Sequence, residues 1–206
     1  MPNCNSPYCD DRHILQSCAW HKLWITYRHD QLKLPTIQFI ERACGHWRYI
    51  GQPDCAPPLD SVPNDWKERL ALALPDRPQL PTRPDLILID DLVASKSRIR
   101  IVDFKIAWDV NMITDGDAKV EKYQPLADLM REHWLHTRGF APDVRVVPIV
   151  IGACGSIPSD WYHRLADLEA TEAKGAALAK QLSAIAIEQS AAMFNKWVSD
   201  ARAHGF

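Results

Sequence analysis

The stretch that most constrains the fold is residues 83–105, RPDLILIDDLVASKSRIRIVDFK, because its pattern predicts two strands joined by a turn. Leu86 and the three residues after it are an apolar run, which is typical of a buried strand. A polar turn is expected around residues 94–97, followed by a second strand over residues 99–106. The sequence therefore predicts an antiparallel hairpin at the centre of the chain.

Two carboxylates and a lysine are expected to meet in this hairpin. A turn centred near residue 94 puts Asp85 opposite Asp103, since each lies nine residues from that centre. Directly opposed side chains in an antiparallel pair lie about 5 Å apart. Lys105 shares the strand face of Asp103, because successive side chains alternate between faces. Carboxylate oxygens are ligands that Mg²⁺ prefers, and a nearby lysine can orient an attacking water. The alternative interpretation is a surface hairpin with a few solvated charges.

Composition limits the classes of protein that the chain can belong to. With 206 residues, of which 47% are hydrophobic, it suits one domain with a substantial core. The net charge of −2 counts against nucleic-acid binding over the whole surface, so only local charge can serve that role. No run of about 18 apolar residues is present, so no membrane contact is expected. The N-terminus lacks the apolar core of a signal peptide. The six cysteines are therefore interpreted as thiols or metal ligands in a reducing compartment.

Four potential zinc ligands, Cys4, Cys9, His13 and Cys18, lie near the N-terminus with the spacing C-x4-C-x3-H-x4-C. Structural zinc sites use four Cys and His ligands in a tetrahedron, so the pattern predicts a zinc knuckle. His21 is a possible substitute ligand. The alternative is a set of unpaired cysteines at a frayed terminus.

Two helices are predicted after this segment. Residues 19–33 form the first, with an apolar stripe of Trp20, Leu23, Trp24 and Tyr27, and the second begins at Pro35. Residues 12–48 carry six Lys or Arg side chains and are locally basic. Arg28 and His29 lie in this segment and are predicted to contact nucleic-acid phosphates, unless this is an ordinary solvated helix face.

Further elements are predicted along the rest of the chain. Residues 53–84 hold eight of the fifteen prolines and are expected to be a connecting region with a short helix at 65–74. Residues 115–134 are predicted to form a helix that Pro125 kinks or restarts. Its buried stripe is predicted to be Val120, Tyr123, Ala127, Met130 and Trp134.

The C-terminal third is predicted to contain a strand and two helices. Residues 143–152 are the strand, and Pro148 indicates an edge position or a bulge. Ser159 is expected to cap a short helix that reaches residue 168. Residues 176–203 are expected to form an amphipathic helix interrupted near Ser190.

A short strand is also predicted at residues 47–50. The resulting order, helix, strand, strand, strand, helix, strand, resembles the core of the PD-(D/E)xK nuclease superfamily. The motif stands here as Pro84-Asp85 followed by Asp103-Phe104-Lys105. Further motifs resemble the restriction-like endonuclease region of site-specific non-LTR retrotransposons. They are His13-ILQS-Cys18, Arg28-His29-Asp30, Arg83-Pro84-Asp85, Lys119-Val-Glu-Lys122-Tyr123, Ile151-Gly152 and the stretch at 183–198. The resemblance implies an α/β fold: a zinc knuckle and helix at 1–34, a nuclease core with a mixed sheet flanked by helices at 35–160, and a helical extension at 161–206.

The resemblance also implies an activity, in which the nuclease nicks target DNA and the exposed 3′ end primes reverse transcription. Asp85 and Asp103 would hold Mg²⁺ or Mn²⁺, and the catalytic lysine would be Lys105, Lys119 or Lys122. Arg28, His29 and Arg83 would contact double-stranded DNA. The other implied partners are a retrotransposon RNA and a reverse transcriptase domain that this chain does not contain, and the implied location is the nucleus. The chain is then expected to be a fragment, a relic or a freestanding descendant of such a protein.

The sequence departs from the family in two respects: the interval between Cys9 and His13 is shorter than is usual, and the chain carries no reverse transcriptase. Two other functions remain open. One is a nucleic-acid-binding module that has lost catalysis, and the other is a zinc-stabilised protein-interaction domain.

Overall fold

The computed structural model describes residues 10–43, 47–51, 84–90 and 97–203. Near the N-terminus lie three helices: α1 (Asp11–Gln16), α2 (Lys22–Asp30, preceded by a 3₁₀ turn at Ala19–His21) and α3 (Lys33–Ala43). Strands β1 (Arg48–Gly51), β2 (Leu86–Asp90) and β3 (Arg98–Ala107) follow. The chain continues through α4 (Met112–Arg138), β4 (Asp143–Gly152), α5 (Trp161–Ala166) and α6 (Glu172–Ala203). The predicted α/β class, with a mixed sheet flanked by helices, is confirmed.

The four strands form one sheet in the order β1-β2-β3-β4. β2 pairs in antiparallel orientation with β1 on one side and with β3 on the other, whereas β4 pairs in parallel orientation with β3. A parallel pair requires a crossover, and α4 supplies it. Among the described strands, β4 lies at one edge of the sheet, in agreement with the edge position that Pro148 indicated.

The sheet separates two apolar clusters. On one face, Ile87, Ile99 and Ile101 pack against the buried side of α4. On the other face, Leu88, Phe104 and Ile149 pack with residues from α3 and α6. Because β2 and β3 are covered on both faces, the apolar run over residues 86–89 is buried throughout, as expected for an interior strand.

The predictions for α4 hold well. Tyr123, Ala127, Met130 and Trp134 are buried, and Val120 is half-buried. The helix is continuous through Pro125, so the predicted restart is wrong. None of the helices in the described ranges is long and apolar enough to cross a bilayer.

The predicted apolar stripe of α2 is wrong. Leu23 is 84% exposed and Tyr27 is 50% exposed, whereas Arg28 is only 1% exposed. The helix therefore turns a polar residue inward and leaves apolar side chains in solvent. The cause is a buried partner for Arg28: its Nη1 donates to Ser190 Oγ over 2.7 Å, and its Nη2 donates to the Leu15 carbonyl over 2.5 Å.

Three helix boundaries also differ from prediction. The first predicted helix is divided, with a 3₁₀ turn before α2 and a break between α2 and α3. α5 begins after Asp160 rather than after Ser159, and it ends at Ala166. α6 runs through Ser190 without interruption, and the buried Ser190 hydroxyl accepts the Arg28 hydrogen bond. The predicted short helix at 65–74 lies outside the described residues.

Candidate active site

The paired register of β2 and β3 ends next to Asp85 and Asp103. Leu86 pairs with Val102, and Asp90 pairs with Arg98, so the pairing is centred on residue 94 as predicted. Asp85 lies one residue beyond the last pair, so the predicted opposition of Asp85 and Asp103 stays a prediction. Asp103 is 3% exposed on β3, and the Asp85 side chain is 15% exposed in the bend before β2.

The end of the β2 ladder leaves the backbone of Phe104 facing Asp85 and His29. The Phe104 N–H donates to Asp85 Oδ2 over 2.9 Å, and the Phe104 carbonyl oxygen lies 3.1 Å from His29 Nε2. These two side chains take the place of the next strand residue, which satisfies both polar groups of the Phe104 backbone. The carboxylate is thereby fixed at the edge of the sheet.

Asp85 belongs to a closed ring of four charged or ionisable side chains with His29, Asp30 and Lys33. Lys33 Nζ lies 2.9 Å from Asp85 Oδ1 and 2.9 Å from Asp30 Oδ1. His29 Nε2 lies 3.4 Å from Asp85 Oδ2, and His29 Nδ1 lies 3.1 Å from Asp30 Oδ1. Both imidazole nitrogens face acceptors, so the doubly protonated form satisfies the ring best.

The ring changes the proton affinity of its members. Burial alone would raise the pKa of Asp85, but hydrogen bonds from His29 and the Phe104 N–H, with the charge of His29, hold that pKa well below its usual range. Burial lowers the pKa of His29, yet hydrogen bonding to Asp85 outweighs burial and the net pKa is raised. Burial likewise opposes the charge of Lys33, but its bonds to Asp30 and Asp85 raise the pKa of the amine. Asp85 is therefore ionised at neutral pH.

Asp103 receives its partners from α4, on the opposite side of the sheet from α2 and α3. The ammonium of Lys119 forms an ion pair with Asp103 Oδ2. Burial and a hydrogen bond to the Asp103 carboxylate raise the pKa of the Tyr123 hydroxyl, so this hydroxyl stays protonated. Lys122 Nζ lies 3.0 Å from the Tyr123 hydroxyl, one residue removed from the carboxylate. The structure therefore brings Lys119 directly to Asp103 and brings Lys122 to it only through Tyr123.

Lys105 lies two residues after Asp103 on β3, opposite Val150 of β4, and its side chain is half-buried. It shares the strand face of Asp103, as predicted. Within the described ranges it makes no hydrogen bond or ion pair.

Sequence reasoning missed Lys33 and the part that Asp30 plays with it. Lys33 begins α3, where the helix dipole disfavours a positive charge, and two carboxylates compensate for this position. The predicted helix boundaries put Lys33 at the end of the first helix, where a lysine is favourable, so they concealed this signal. Its partner Asp85 lies more than fifty residues away along the chain, and no local pattern points to it.

The predicted nucleic-acid contacts divide into three cases. Arg28 is buried and bonded inside the protein, so the prediction that it contacts phosphate is wrong for this conformation. His29 is half-buried and belongs to the Asp85 ring. Arg83 lies outside the described residues.

Two of the predicted zinc ligands, Cys4 and Cys9, lie outside the described residues. His13 is in α1, with Nδ1 3.3 Å from the Ser17 hydroxyl, and Cys18 is buried. His21 is also buried. The zinc knuckle stays a prediction.

Two carboxylates fit a magnesium site, because Mg²⁺ is commonly held by one or two carboxylates together with substrate phosphates. Each carboxylate already contacts an ammonium group, Lys33 at Asp85 and Lys119 at Asp103. Both positions therefore attract cations. Within the described ranges, no cluster of three or more His, Cys, Asp or Glu side chains has the arrangement of a metal site.

No protein-family model matches the chain, and no curated protein matches it.

Proposed function

We propose that this protein is a metal-dependent DNA endonuclease that hydrolyses phosphodiester bonds. The proposal is supported by the register of β2 and β3, which ends one residue from Asp85 and from Asp103, and by the lysine ammonium that contacts each carboxylate. Two carboxylates can hold a divalent cation, and the cation together with nearby lysines can bind the phosphate group of a nucleic acid.

The residues divide the chemistry between them. Mg²⁺ or Mn²⁺ held by Asp85 and Asp103 would polarise the scissile phosphate and lower the pKa of the attacking water. Lys105 orients that water. Its side chain lies on the same face of β3 as Asp103, and within the described ranges its ammonium makes no hydrogen bond or ion pair. Lys119 offsets negative charge at Asp103, and Tyr123 fixes the orientation of the same carboxylate. Lys122 acts through Tyr123.

The wider setting rests on the resemblance described above. It supports a PD-(D/E)xK fold, double-stranded DNA as substrate, and a role in target-primed reverse transcription in the nucleus. The RNA and the reverse transcriptase would then be supplied by other domains or other chains.

A plasmid-nicking assay with and without Mg²⁺ tests the proposal. We expect nicking that requires Mg²⁺ or Mn²⁺ and falls more than about a hundredfold in Asp85→Asn and in Asp103→Asn. Lys105→Met is expected to lower the rate more than Lys122→Met. Lys22→Met, which removes an exposed lysine of α2, is the control and should cut normally.

Two outcomes would overturn the proposal. Equal cutting by wild type and Asp103→Asn would mean that the activity belongs to a contaminant. DNA binding without cutting, with an affinity that falls steeply with salt, would assign the chain to the non-catalytic nucleic-acid-binding class.

A further inference from the structure

Lys33 is placed where a bound cation would compete with it. Its ammonium lies 2.9 Å from Asp85 Oδ1, the carboxylate oxygen that does not accept the Phe104 N–H. Its side chain is 12% exposed, and the Asp85 side chain is 15% exposed, so the contact is largely shielded from water. A charge contact in this environment is stronger than the same contact in open solvent.

The position of Lys33 is electrostatically unfavourable unless nearby carboxylates compensate for its charge. The first turn of a helix repels positive charge, and Lys33 is the first residue of α3. Asp30, at the end of α2, holds the same ammonium at 2.9 Å. The short link between α2 and α3 therefore positions one ammonium between two carboxylates.

Asp30 also gives Lys33 a second partner. If another cation takes Asp85 Oδ1, the ammonium can keep its contact with Asp30 and is not left buried without a counter-ion. The Asp85 carboxylate can thus exchange one positive partner for another at limited cost.

We infer that Lys33 is an internal competitor for the divalent cation: its ammonium occupies Asp85 Oδ1 in the metal-free protein and is displaced towards Asp30 when the metal binds. The inference rests on the proposed function, since it requires that Asp85 be a metal ligand. Lys33 is on this basis a positioning residue, which keeps the metal-free site folded and tunes its affinity.

The test is the affinity of the purified protein for Mg²⁺ and Mn²⁺ alone, measured by titration calorimetry and by the metal-dependent rise in melting temperature. Removing the competing ammonium in Lys33→Met should tighten metal binding by at least about fivefold, the lower end of typical coupling between two sites. The same variant should melt at a lower temperature than wild type when no metal is present, because Asp30 and Asp85 lose their shared cation. Metal should then stabilise it more than wild type.

Matched variants make the outcome decisive. Lys33→Arg keeps the charge and should bind metal as wild type does, whereas Lys22→Met loses a charge from an exposed site on α2 and should change nothing. Lys33→Gln replaces Lys33→Met if the latter does not fold. Equal or weaker metal binding by the neutral variants overturns the inference while leaving the metal site in place. Absence of metal binding by wild type overturns the inference and the metal site together.

Discussion

Replacing Arg28 with alanine separates a buried structural role from a nucleic-acid contact. Arg28 is 1% exposed, and its guanidinium donates to the Ser190 hydroxyl and to the Leu15 carbonyl. Burial lowers the pKa of Arg28 to about 10, so the group is still charged at neutral pH. It therefore joins α1, α2 and α6 through charge-assisted hydrogen bonds.

The size of the effect follows from these contacts. Each hydrogen bond from a charged donor is worth about 1.5–3 kcal/mol, and removal of a buried charge returns part of that sum. We expect Arg28→Ala to lower the free energy of unfolding by about 3 kcal/mol. For a chain of this length, that corresponds to a melting temperature about 6–12 °C lower.

Urea denaturation followed by circular dichroism measures this loss. Lys22→Ala, an exposed substitution on the same helix, should stay within about 0.5 kcal/mol of wild type. Unchanged stability in Arg28→Ala, together with weaker DNA binding, would refute the buried role and restore the phosphate contact that the sequence predicted.

Three further predictions concern other parts of the molecule. Because the folded-state pKa of Asp85 is lowered, its charge contributes stability that is complete above the unfolded pKa of about 3.9 and is lost as the pH falls below that value. The stability gap between wild type and Asp85→Asn, measured by urea denaturation, should therefore shrink as the pH falls below about 4; a gap that does not change there would contradict it. Gly152→Ala should cost about 1–3 kcal/mol, because a Cβ there would meet the Asp109 carboxylate, which accepts the Cys154 and Ser156 N–H groups. The cost should shrink in an Asp109→Ala background, and a purely additive double variant would rule out this cause. Elemental analysis of protein purified without chelator should find about one zinc per chain, lost in His13→Ala, and a zinc-free protein would remove the knuckle.

Local sequence patterns were sufficient to predict those elements whose packing partners are close in sequence or lie on one regular face. The register of β2 and β3 follows from the symmetry of the hairpin about residue 94, so the pairing of Leu86 with Val102 was predictable. The buried stripe of α4 was predictable for a similar reason, since one helix face packs on one sheet face.

Long-range polar pairing explains what the sequence did not reveal. The apolar pattern of α2 indicated the wrong buried face, because the bond from Arg28 to Ser190 joins residues 162 positions apart. Tyr123 was predicted as a core residue, but its hydroxyl also bonds to Asp103. The contact of Lys33 with Asp85 depends on how α3 packs beside β2, which no local motif encodes.

The most direct test of the carboxylate pair is a crystal soaked in Mn²⁺ and measured for anomalous scattering. One peak is expected within about 2.5 Å of carboxylate oxygens from both Asp85 and Asp103, with Lys33 still in contact with Asp30. Absence of a peak beside either carboxylate at saturating Mn²⁺, or a peak held by other residues alone, would contradict the claim that these two aspartates form one cation site.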